Sequence, residues 1–147
     1  SVTIARVLAQ QFNTKLIGIN SLEILSKLNT VKNTLVALDA RKNKVYFAGY
    51  TKGKETISPC LIDKDELISK IYTDDFPITD RAISEFLNQN SINNLCYEDN
   101  DNALGVYLSE LVMDKLQTAG DDFNWAKVKP LYIQKPSITM PKAVKNV

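Results

Sequence analysis

The sequence contains no histidine. That single absence excludes Ser-His-Asp and Cys-His nucleophile activation, His-x-x-x-His zinc sites, and imidazole proton shuttling near neutral pH. Any chemistry must fall to carboxylates, lysine, tyrosine or cysteine. Cysteine is scarce as well: Cys60 and Cys96 stand far apart, which suits buried thiols in a reducing cytoplasm better than a disulfide. The five glycines form neither a GxGxxG nor a P-loop, so no nucleotide-cradling loop is complete within the chain. No apolar run approaches the roughly eighteen residues that a membrane span needs, and the N-terminal SVTIARVLAQQF lacks the charged start and apolar centre of a signal peptide. The net charge of +1 supplies no global field toward nucleic acid or membrane.

What is present is a mixed α/β pattern over 147 residues, enough for one domain with a core. Residues 1–12 read as a helix, with Ile4, Val7, Leu8, Gln11 and Phe12 on one side at helical spacing. KLIGI (15–19) reads as a short buried strand. Asn20 with Glu23 forms a capping box for a helix carrying Leu22, Leu25 and Leu28 on one face. Three runs of β-formers follow, 34–39, 45–50 and 55–62, joined by tight turns. They predict an antiparallel meander, with Pro59 placing an edge or a bulge on the third strand. Asp63 with Glu66 predicts a second capping box and a helix to Ile71. Phe76-Pro77 reads as a break, and Thr79 or Asp80 caps a helix burying Ile83, Phe86 and Leu87. A brief strand at 95–97 precedes an acidic loop, and 103–117 form a longer helix with Asn102 as its cap. Residues 128–134 read as extended, and the tail, rich in proline and lysine, as mobile.

Few residues invite a chemical reading. Asp39 ends an apolar run and Arg41 lies two residues on, so they share a face of one strand. They are either a reactive pair or the corner of a hairpin. Arg41, Lys42, Lys44, Lys52 and Lys54 fall in two turns of the meander and either meet phosphate together or are solvated. Glu98, Asp99 and Asp101 lack the spacing of a calcium loop. From Phe123 onward there are lysines and no acid, an arrangement that assists RNA or partner binding by counterion release or is simply a soluble tail.

KLIGINSLEIL, LVALDARKNKVYFAGY and VKPLYIQKP, in that order, resemble the markers of the bacterial TsaB family, also called YeaZ, which helps make threonylcarbamoyladenosine in tRNA. Gln134 stands where the family usually has arginine. The resemblance implies an α/β chain with the actin-like, RNase H-like ATPase fold, which is built of two lobes. Residues 1–30 then correspond to the end of the first lobe and the connecting helix, 31–136 to the second lobe, and 137–147 to a mobile tail. Ser1 to Ala9 match the later part of a family helix. The family's earlier meander with its Asp-Thr-Ser signature, its first helix and its Gly-Ser-Phe-Thr-Gly loop are expected to be missing. Apolar surface is then left wet and, at about 25 cal/mol per Å², worth several kcal/mol, so self-association or marginal stability is expected.

For function, the resemblance implies a cytoplasmic, non-catalytic scaffold without cofactor or metal of its own. Its expected partners are a TsaD-like catalytic subunit, whose metal-binding histidines it lacks, a TsaE-like ATPase, a second copy in a homodimer, and tRNA indirectly through the complex. Ile4, Leu8 and Gln11 are candidate partner contacts, the competing reading being packing within the lobe. Asp39 and Arg41 become structural residues of the hairpin corner. A metal-independent peptidase-like hydrolase and a basic RNA-binding module stay open as alternatives.

Overall fold

The computed structural model describes residues 2–30, 33–99, 104–118 and 123–133. Its centre is β1 (Asn33–Asp39), which alternates buried side chains to both faces. β1 pairs antiparallel with β2 (Lys44–Thr51), and β2 with β3 (Lys54–Asp63), completing the expected meander. On its other side β1 pairs in parallel with β4 (Asp75–Thr79), which carries the short parallel β5 (Leu95–Cys96). The sheet order is β3-β2-β1-β4-β5.

Helices cover both faces because both faces are apolar. Leu35 and Ala37 of β1, with Val45 and Phe47 of β2, pack against Leu67 of α1 (Lys64–Leu67) and Ile83 and Leu87 of α2 (Arg81–Gln89). Val36, Ala48, Tyr50 and Ile78 face the opposite way and meet Leu22 and Leu25 of α3 (Ser21–Ser26). Leu104 of α4 (Leu104–Thr118) joins that second cluster. Burial raises the Tyr50 pKa, helped by the charges of Glu55 and Glu23. The N-terminal helix, α5 (Val2–Gln11), buries only Ala9. Cys60 is half-buried and Cys96 buried, and both are free thiols.

Several local expectations are corrected. KLIGI belongs to no strand: Leu16 N–H donates to the Phe123 carbonyl at 3.3 Å, and no described strand lies beside it. Asn20 does cap α3, accepting from Leu22 N–H at 3.0 Å, but Glu23 turns to Lys115 at 3.4 Å instead of closing a box. Asp63 precedes α1 without a side-chain cap bond, since its carboxylate pairs with Lys44 at 2.8 Å. The presumed break at Phe76-Pro77 is β4. The proline is tolerated because β5 reaches only Ile78 and Thr79, so β4 has a single neighbour at Pro77. The bulge foreseen at Pro59 is present, with Ser58 and Pro59 together opposing Ala48. Asn102, Asp101, Gln134 and the tail lie outside the described residues.

Candidate functional site

α5 presents two unlike faces. Val2, Ala5, Arg6 and Ala9 recur at helical spacing and are wholly or partly covered, with the Arg6 guanidinium 5.6 Å from the centre of the Trp125 ring. The opposite side carries Ile4, Val7, Leu8 and Gln11, and Phe12 follows the helix end. Ile4 is 62% exposed, Val7 and Leu8 each 50%, and Phe12 72%. Ile4, Leu8 and Gln11 therefore share one outward stripe, and in the described residues nothing packs over it. Four large apolar side chains in a row on one solvent-facing helix are characteristic of a contact surface rather than a monomer's exterior.

Asp39 and Arg41 sit at the turn between β1 and β2. The Asp39 carboxylate accepts the Arg41 backbone N–H at 3.3 Å. Arg41, Lys42 and Asn43 all take positive φ, at 64°, 50° and 60°, a run that costs non-glycine residues roughly 1–2 kcal/mol each. The turn is held from both sides: Ala40 N–H reaches the Lys44 carbonyl at 2.9 Å, and Lys64 N–H the Asn43 carbonyl at 2.9 Å. The Asn43 amide also donates to Asp65 at 3.1 Å.

Asp80 is the residue whose second role sequence reasoning missed. Its Oδ1 caps α2 by accepting from Ile83 N–H at 3.0 Å, and its Oδ2 accepts from Asp39 N–H at 2.7 Å. It thereby ties the end of β1 to the start of α2. The cap was visible as an aspartate before a helical pattern; the bond across 41 positions had no local signal. Beside it Arg81 holds Asp99 at 2.6 Å and Glu98 at 3.8 Å. The hydrogen bond and charge of Asp99 raise the Arg81 pKa further, and burial raises that of Tyr97. The carboxylates at this end of the sheet are thus engaged in backbone or guanidinium contacts. Among the described residues no three Cys, Asp or Glu side chains cluster as a metal site.

A cleft of about 670 Å³ opens between residues 16–22 and 123–133, over Leu38 and Tyr46 of the sheet. Lys115, Lys127 and Lys129 stand on its walls, and among the described residues no carboxylate or cysteine lines it. Its described residues offer an apolar floor, and Lys115 on its wall is already paired with Glu23 at 3.4 Å.

The basic turns do not act together. The two turns close opposite ends of β2, and eight residues at about 3.3 Å each put them some 25 Å apart.

The family model described as TsaD, tRNA N6-adenosine threonylcarbamoyltransferase, matches residues 1–122. The chain belongs to this family. No curated protein matches it significantly. Its fold is similar to that of a protein described as uncharacterized, with similarity to peptidase YeaZ from Pseudomonas aeruginosa, at 16% identity and a TM-score of 0.62. That match covers 90% of this chain and 65% of the other, so the chain spans under two-thirds of its relative's length. YeaZ from Pseudomonas aeruginosa matches over 52% of this chain and 41% of its own, at 18% identity and a TM-score of 0.43. The expected mixed α/β architecture, the actin-like ATPase fold, is therefore present in this TsaD-family chain. No helix among the described residues is long and apolar enough to cross a membrane.

Proposed function

We propose that this TsaD-family chain is a non-catalytic subunit of the machinery that makes threonylcarbamoyladenosine in tRNA. It binds and supports a TsaD-like catalytic subunit, with a TsaE-like ATPase joining the assembly. The observation that carries the reading is the outward apolar stripe of α5, with Ile4, Val7 and Leu8 all at least half exposed. A helix that buries a single alanine against its own body gains little from that docking. The same helix gains about 0.8 kcal/mol per methylene once a partner covers the stripe. The committed carboxylates at the sheet end also favour a supporting role.

The test is capture of a TsaD-type subunit from the same organism, followed by light scattering. The wild-type chain is expected to form a defined complex. Ile4→Asp combined with Leu8→Asp should weaken it at least tenfold while leaving the melting temperature within a few degrees, because both side chains already face water. Unchanged capture by that double variant would remove α5 from the interface.

A further inference from the structure

We propose that the outer flank of α4 docks a second copy of this chain, the two α4 helices lying antiparallel. The inference goes beyond the scaffold reading, which uses α5, and stands separately from it.

α4 covers one of its two apolar sides. Leu104, Tyr107, Leu111 and Lys115 recur at helical spacing and are buried or half-buried. Leu104 packs on the cluster of Leu22, Leu25 and Val36, and Lys115 reaches Glu23 of α3. About a quarter turn round the helix, Gly105, Ser109, Val112 and Leu116 form a second stripe at spacings of three and four. Leu108 borders it on one side, Val106 and Met113 on the other. Val106, Leu108, Met113 and Leu116 are all exposed, Val106 by 58% and Met113 by 55%. None of these seven positions is charged, and the acids Glu110 and Asp114 fall on the far flank. The Ser109 hydroxyl donates to the Gly105 carbonyl at 2.9 Å, so it asks no hydrogen bond of an occupant. A Cβ on Gly105 would meet no described atom within 4 Å outside its own stretch of helix, which leaves a gap in the stripe.

The stripe is complementary to itself, which selects a second copy as its occupant. A twofold axis level with the midpoint of positions 110 and 111 sets Gly105 opposite the partner's Leu116 and Ser109 opposite the partner's Val112. Symmetry makes each of these contacts twice. Every large side chain of the stripe then enters the space beside a small one, and the helices can approach closely. A twofold contact sets a patch against itself, so any charge on it would face its like. This flank carries none, whereas pairing through the far flank would oppose Glu110 and Asp114 to acids. The outward stripe of α5 has no small residue between Ile4, Val7, Leu8 and Gln11, so it lacks this interlocking. The fifteen residues of α4 make a helix about 22 Å long. One helix pair of that length covers less than the roughly 1,200 Å² of a standard stable interface, so the dimer is weak and concentration-dependent.

The experiment is sedimentation equilibrium of the full chain over a wide concentration range. It is repeated with Ile4→Asp and Leu8→Asp, so that α5 cannot contribute. Self-association is expected in both. Gly105→Leu should weaken it about tenfold or more by filling the gap that receives Leu116. In dilute solution the same change should leave the melting temperature unchanged or raise it, because leucine is the better helix former and its side chain meets open space. Leu116→Ala should weaken pairing about tenfold or more. Gly105→Leu combined with Leu116→Ala exchanges large and small at both contacts and should restore most of the affinity. A monomer at every concentration in the α5-altered chain overturns the proposal. So does self-association that Gly105→Leu leaves unchanged, or that the exchanged double variant fails to restore. Loss of TsaD-type capture by Gly105→Leu with self-association intact makes the flank that subunit's contact instead, and also overturns it. If the wild-type chain captures no TsaD-type subunit while the α4 variants behave as expected, the scaffold reading fails and this surface stands.

Discussion

At the scale of single residues, Asp80 and Asp39 separate chemistry that looks alike in sequence. Asp80 satisfies two backbone donors, one at 2.7 Å and one at 3.0 Å, and joins two elements. Asp39 accepts one bond of 3.3 Å inside an exposed turn. Losing a helix cap costs about 1 kcal/mol, and orphaning a second donor adds a comparable amount. Asp80→Ala should therefore lower stability by about 2 kcal/mol in urea unfolding, and Asp39→Ala by less than about 1. Equal losses would mean that the Asp39 carboxylate holds more than its own turn. Asp80 also marks how far the sequence could be read. Its cap was legible because an N-cap acts over three residues; its bond to β1 was not, because only the folded sheet brings position 39 to position 80.

At the scale of elements, the meander was legible because its strands alternate and its turns carry basic and glycine residues in sequence order. The parallel half of the sheet was not. β4 has five residues with a proline in the middle, and the single-sided pairing that excuses this proline is a property of β5's shortness. KLIGI failed the other way: its composition is that of a strand, but a strand exists only beside another, and no described strand lies there. The bulge of β3 joins the two cases. Ile57 sits so close over Gly49 that an added Cβ would meet its side chain at 2.9 Å. Gly49→Ala should cost about 1–3 kcal/mol by overpacking. The combined Gly49→Ala and Ile57→Ala variant should lose less than the sum of the two single changes in a double-mutant cycle. Simple additivity would show that the β2–β3 edge yields without resistance.

At the scale of the whole molecule, the sheet order and the two helical layers give the actin-like fold, and the match over residues 1–122 gives the TsaD family. The candidate surface was half legible. Helical periodicity placed Ile4, Leu8 and Gln11 on one side, but whether that side faced the core or water depended on where Trp125 packs, more than a hundred residues away.

In the function proposed above, this chain supports catalysis without performing it. The most direct measurement is transfer of a labelled threonylcarbamoyl group to tRNA by a TsaD-type subunit, with the ATPase present, with and without this chain. Transfer is expected only when both this chain and the catalytic subunit are present, with none from this chain alone and a sharp loss with Ile4→Asp and Leu8→Asp. Transfer by this chain alone, or an undiminished rate in its absence, would contradict it.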